Sequence, residues 1–157
     1  MYIALSALTF EQALSKLQRY CAYQERCHQE VRNKLIRIKV FGEDQDEVIN
    51  ALIAEGFLNE ERYARTFVSG KSRIKRWGEV KILAQLRAKG ISDYCIRKGM
   101  EEYEDALKLD NMRYWFVKWT DQYNNLEPFL FKDKILKMYL SKGYRVEEVL
   151  NFLKTES

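Results

Sequence analysis

Residues 56–91, GFLNEERYARTFVSGKSRIKRWGEVKILAQLRAKGI, are the stretch from which the fold is read. They predict a short entry, a long helix, a Trp-Gly break and a second helix stopped by Gly90. Asn59 suits an N-cap, and Glu60 and Glu61 fall in the first turn, where carboxylates meet the positive end of the helix dipole. Tyr63, Ala64, Phe67, Val68 and Ile74 recur at helical spacing and gather on one side. At about 100° per residue, Arg62, Arg65, Arg73 and Arg76 share an arc of roughly 80° on the opposite side. One face is set to bury, with Phe67 and Leu83 expected in the core. Trp77 at the break suits either a packing anchor or a stacking platform for a base.

A solvated helix face usually mixes signs, with Glu set against Lys or Arg four residues away. Between Arg62 and Gly90 there are instead nine Lys or Arg and one acid, Glu79. The segment therefore carries +8 in a chain of net charge +4, leaving −4 for everything else. This focus favours an anionic partner over mere solvation. Its candidate contacts are Arg62, Arg65, Lys71, Arg73, Lys75, Arg76, Lys81, Arg87 and Lys89. Changing Arg65 and Arg73 to Glu is expected to weaken binding and leave folding nearly untouched.

Working outward, the 157 residues allow one domain or a short repeat array, and 46% hydrophobic content is ample for a core. One proline, seven glycines and no alternating β-branched runs argue for helices. No run approaches the roughly 20 apolar residues of a membrane span. The opening residues lack a basic, then apolar, secretory pattern. Cys21, Cys27 and Cys95 form neither a disulfide framework nor, with the lone His28, a zinc spacing, which fits free thiols in a reducing cytoplasm.

The same helical plan recurs on either side. Thr9 or Ser6 caps a first helix; a second, over 28–40, is stopped by Gly42; a third, over 46–54, is stopped by Gly56. The central stretch continues with helices over 59–75 and 79–89 and a third capped by Ser92. A last round runs over 105–123, then from Pro128 to Gly143, then on through Val146, Val149 and Leu153. Aligning Gly42, Gly90 and Gly143 brings Leu35, Leu83 and Leu136 into one column and Val48, Ile96 and Val149 into another. The expected fold is all-α, three tandem three-helix repeats over residues 1–58, 59–104 and 105–157, in an elongated, curved array.

FLNEERYARTFVSGKSRIKRWG followed by KILAQLRAKGI closely resembles the signature of the RecX family of bacterial regulatory proteins. The resemblance implies three three-helix repeats that bind the RecA recombinase on single-stranded DNA and modulate, in the inhibitory direction, its ATPase, recombinase and coprotease activities, with consequences for DNA repair and the SOS response. Family members usually show Asp where Glu60 stands and Arg where Lys81 stands. In the first repeat Gln24-Glu25-Arg26-Cys27 replaces an Arg-x-Arg-Ser run, so contacts there carry over least.

Nothing marks catalysis. Gly70-Lys71-Ser72 lacks the glycine-rich loop of a phosphate cradle. Glu101-Glu102-Tyr103-Glu104-Asp105 reads as a solvated acidic turn rather than a metal site. The expectation is a cytoplasmic, monomeric binding protein without cofactor or metal, whose partners are a RecA filament and single-stranded or duplex DNA bound without sequence preference. A helical-repeat adaptor for an unrelated protein is the alternative.

Overall fold

The computed structural model describes residues 7–156. The start of the chain, read above for a secretory leader, and Ser6, weighed as a first cap, lie outside them. The described residues form nine α-helices and no strand: α1 (Phe10–Tyr23), α2 (His28–Arg37), α3 (Gly42–Ala54), α4 (Glu60–Arg73), α5 (Glu79–Ala88), α6 (Asp93–Met100), α7 (Asp105–Gln122), α8 (Pro128–Lys142) and α9 (Val146–Glu156). The predicted caps are in place. Thr9 and Gln12 form a reciprocal capping box, Asn59 accepts from the Arg62 amide, Ser92 accepts from the Cys95 amide, and Pro128 opens α8.

The chain builds three small cores in succession. Leu17, Val31, Leu35, Val48 and Leu52 centre the first, Ala64, Val68, Ile82 and Leu86 the second, and Trp119, Ile135, Tyr139 and Val149 the third. A chain of 18.8 kDa exposing 10248 Å² has about a quarter more surface than the ~8,300 Å² of a compact monomer of that mass. The fold is an elongated array of helical repeats.

The repeats superpose in a different register from the one the glycines suggest. Gly42 does not end α2; it opens α3, and the left-handed residue after α2 is Lys39, at φ 62°. Lys39, Gly90 and Gly143 are the equivalent positions. At each, the next amide (Val40, Ile91, Tyr144) donates five residues back, to the carbonyls of Leu35, Leu86 and Tyr139. All six of these side chains are buried against one another at their helix ends, as this type of C-cap requires. The third helices then start in step, with Val48, Gly99 and Phe152 buried at matching places.

Several inward assignments change for the same reason. Ile82 and Leu86, not Leu83, fill the second core; Leu83 and Phe67 pack only half-buried at its edge. Ile74 lies beyond the last turn of α4 and is 78% exposed, and Val80 faces solvent. Within the second repeat, α4 and α6 touch at Ala64 and Gly99, where an added Cβ would stand 2.8 Å from the Ala64 methyl. Trp77 rests on the second core, so the packing role is met, although one ring face remains lined by lysines.

The junctions between repeats differ in kind. The second and third repeats join through backbone: the Gly78 amide donates to the Lys142 carbonyl (2.8 Å) and the Val80 amide to the Gly143 carbonyl (3.0 Å). The first amides of α5, which have no partner inside their own helix, are thus satisfied by the end of α8. The approach is so close that a Cβ on Gly78 would fall 2.4 Å from the Gly143 carbonyl carbon. The Arg76 carbonyl accepts from both Trp115 Nε1 (2.9 Å) and the Tyr144 hydroxyl (2.8 Å), and buried Asn111 donates to the Ser72 carbonyl (2.7 Å). The first and second repeats join instead through Cys27, which is buried in the second core although it caps α2, and through ion pairs.

Two outcomes follow from this packing. Lys39→Gly removes a left-handed side-chain residue, at about 1–2 kcal/mol, against a glycine entropy cost of about 0.5–1; a thermal melt should show a gain of roughly 0.5–1 kcal/mol. Gly78→Ala should cost about 3 kcal/mol, the upper part of the overpacking range. Native-state hydrogen exchange should find the Val80 amide deprotected in that variant and the first repeat unaffected.

Candidate nucleic-acid interface

In three dimensions the arginine arc of α4 is matched by carboxylates from elsewhere in the chain. Arg62 donates to Glu25 Oε1 at 2.6 Å and to the Gly56 carbonyl at 2.9 Å. Arg65 reaches Glu101 at 2.9 Å, Glu102 at 3.2 Å and Glu61 at 3.5 Å. Arg73 pairs with Glu104 at 2.8 Å, and on α5 Lys89 pairs with Glu30 at 3.3 Å. The acidic run after α6 is largely exposed, as a solvated turn is, and its glutamates are also the counter-charges of α4. No group of three His, Cys, Asp or Glu among the described residues is placed to hold a metal.

These pairings change the reading of the arc. The hydrogen bond from Arg65 holds the Glu101 carboxyl below its usual range. What this adds to stability is complete above the ordinary carboxylate pKa, about 4.3, and fades as the pH falls below it. Replacing Arg65 and Arg73 by Glu would set carboxylate against carboxylate where α4 meets the turn between α6 and α7, so that substitution should lower stability. Arg76 has left the helix altogether, at φ 55°. Its guanidinium donates to Asn111 Oδ1 at 2.9 Å and covers the Tyr114 ring at 4.1 Å. Arg87 is exposed on α5 and takes part in none of these contacts.

Five lysines that pair with no carboxylate, Lys71, Lys75, Lys81, Lys118 and Lys142, meet at the junction between the second and third repeats. Lys71 and Lys81 place their ammonium groups 4.8 and 4.3 Å from the centre of the Trp77 ring. Lys142 and Lys118 lie 4.2 and 5.5 Å from that of Trp115. Lys75 is exposed beside them and, with Lys81 and Lys118, acts on Lys142. The Lys142 pKa lies below the ordinary lysine value, first through burial and then through these three like charges. The only acid of the stretch, Glu79, is occupied by Arg145 at 3.3 Å.

Sequence reading found Lys71, Lys75 and Lys81 and missed Lys118 and Lys142, which the fold brings in from α7 and α8. The only local sign of Lys118 was an aromatic neighbourhood, at Tyr114 and Trp115. Lysines without a carboxylate, four of them held over indole faces, form an arrangement that could take an anion: cation–π contacts of about 0.5–1 kcal/mol each and a bond from Lys81 to the Ser141 carbonyl position them, and an anion would relieve their repulsion. The cysteines offer no chemistry here, since burial raises the Cys21 thiol to about 11, far from a reactive thiolate.

The two classes of cation should respond differently to replacement. Arg65→Met removes a bridge between α4 and α6 and should lower the melting temperature. Lys142→Met keeps a stem of similar volume and removes a charge that its neighbours repel, so the melt should stay level or rise. A melt of Lys142→Met that fell as far as that of Arg65→Met would mean that Lys142 serves the fold.

Comparison with known proteins bears on the same region. A family model described as RecX, second three-helix domain, matches residues 59–100. The protein Regulatory protein RecX of Lactococcus lactis subsp. lactis (strain IL1403) is 30% identical over 138 residues, 86% of this chain and 51% of its own. That of Bacillus cereus (strain B4264) is 27% identical over 130 residues, 83% of this chain and 48% of its own. The chain thus spans about half the length of the curated relatives it matches. Two crystal structures share the fold. RecX from Lactobacillus salivarius has a TM-score of 0.81 at 23% identity, covering 93% of this chain and 95% of that one. A second, titled regulatory protein RecX, has a TM-score of 0.84 at 20% identity, covering 93% and 73%. Family model, sequence relatives and fold agree, and the chain belongs to the RecX family.

Proposed function

We propose that this protein is a non-catalytic regulator of the RecA recombinase that docks on the RecA–single-stranded DNA filament and inhibits its ATPase, recombinase and coprotease activities, and through them influences DNA repair and the SOS response. The observation that carries the nucleic-acid part is the lysine seam: Lys71 and Lys81 lie over Trp77, Lys118 and Lys142 over Trp115, and exposed Lys75 acts on Lys142, while most of the arginines nearby are spoken for. Family membership supports RecA as the partner. Contact with the strand is to phosphates and ring faces, so it is independent of base sequence. Of the arginines and lysines read from the sequence, Arg62, Arg65, Arg73 and Lys89 act mainly by holding helices together, and Arg76 holds the junction. Arg87 contributes only to the general field. The protein works as a monomer in the cytoplasm and needs no cofactor.

Each lysine that neutralises a phosphate of a single strand contributes about −0.7 to the slope of log K against log salt, so five give about −3.5. Replacing Lys75, Lys118 and Lys142 together by Met should flatten the slope to about −1.4 on the same arithmetic. The same variant, titrated into a RecA ATPase and strand-exchange assay, should inhibit less than the parent. Normal binding and inhibition by a triple variant with an unchanged melt would reject the seam as the interface.

A further inference from the structure

The cleft between the first and second repeats lies beside the Arg62–Glu25 and Lys89–Glu30 pairs. It encloses about 420 Å³, room for roughly a dozen waters at about 30 Å³ each. We propose that it receives one unstacked nucleobase of a single strand whose backbone crosses the lysine seam, an inference that rests on the seam carrying that strand.

The geometry connects cleft and seam through one residue. Lys71 lines the cleft, with its ammonium 5.3 Å from the centre of the Phe67 ring, and also lies 4.8 Å from that of Trp77 in the seam. A phosphate held by Lys71 therefore has its own base within reach of Phe67. That ring is half-buried and is fixed from behind by Tyr63, stacked at 5.9 Å between centres. It offers a rigid face, and a base gains from any aromatic face whatever its identity.

The cleft walls favour a neutral group. Glu25 is taken by Arg62 and Glu30 by Lys89, so the charges on the walls are already balanced. Gln24, Thr66 and Gln85 also line it and are exposed, and their side chains have no hydrogen-bond partner among the described residues. An amide both donates and accepts, and so does a hydroxyl; such groups can satisfy the edge of any base without selecting one. The anion stays at the rim on Lys71, and the base enters.

The test compares two fluorescein-labelled strands of equal length, oligo-dT and the same backbone with abasic sites, by anisotropy with the full chain. The parent should bind oligo-dT more tightly by roughly 5- to 150-fold, the range for stacking one base on an aromatic side chain. Phe67→Leu keeps the apolar bulk and loses the π face. It should cut that ratio at least threefold while the salt slope stays that of the parent. Gln24→Ala with Gln85→Ala, both on exposed positions, should lower the ratio too, and serves if the Phe67 variant melts early. Equal binding of both strands by the parent, or a ratio untouched in the variants, overturns the base cleft and leaves the seam standing. Failure of the parent to bind either strand overturns the seam and the cleft with it.

Discussion

The amide of Gly78 and the carbonyl of Lys142 meet at 2.8 Å, and the architecture of the second half of the molecule depends on that contact. It sets the positive end of α5 against the negative end of α8, so each supplies what the other lacks at its terminus. Only glycine admits this approach at both positions, because Gly143 also stands where a Cβ would meet Lys81. Fixing α8 on α5 brings Tyr144 and Trp115 to the Arg76 carbonyl, and their two hydrogen bonds hold Arg76 in a left-handed conformation that its side chain disfavours. Lys81 and Lys142, far apart in sequence, become neighbours through the same contact.

The charges divide according to the chemistry of the two cations. Arg65 spans two carboxylates at once, one from each terminal nitrogen of its planar fork. Arg62 likewise joins a carboxylate to a backbone carbonyl. Lysine is a compact, strongly hydrated charge on a flexible stem, suited to lie along an indole and swing toward a phosphate. In this segment Arg62, Arg65, Arg73 and Arg76, with Lys89, have become structural, and Lys71, Lys75 and Lys81 carry no carboxylate.

How far the sequence could be read follows from how local each signal is. Caps and helix starts at Thr9, Asn59, Ser92 and Pro128 depend on residues within one turn, and they were legible. The repeat was legible but slipped by three residues in its first copy, because a shift of three along a helix moves an apolar residue to nearly the same face. Leu35 could thus be paired with Leu83 as plausibly as with Leu86. Gly42 drew the alignment to itself, and nothing in the sequence marks Lys39 as taking the left-handed position. Arg62, Arg65 and Arg73 were read correctly as sharing one face of α4, while Arg76 lies beyond the helix end; their partners Glu25, Glu101, Glu102 and Glu104 stand more than thirty residues away and are visible only in the fold. Lys118 and Lys142 were hidden for the same reason.

The two junctions will not respond alike to salt. Between the second and third repeats the partly exposed Arg145–Glu79 pair is accompanied by backbone hydrogen bonds and aromatic donors, which ions hardly screen. Between the first and second, Arg62–Glu25 and Lys89–Glu30 stand partly in solvent, where each pair contributes little and screening weakens it further. Cys27 still anchors α2 in the second core, so the repeats stay attached, but the cleft beside those pairs widens more readily than the seam can. On the proposed function, the seam would set the path of the backbone, and the cleft, bordered by pairs that salt screens, would adjust to a purine or a pyrimidine without altering that path. Tolerance of sequence would then follow from the difference between two neighbouring junctions.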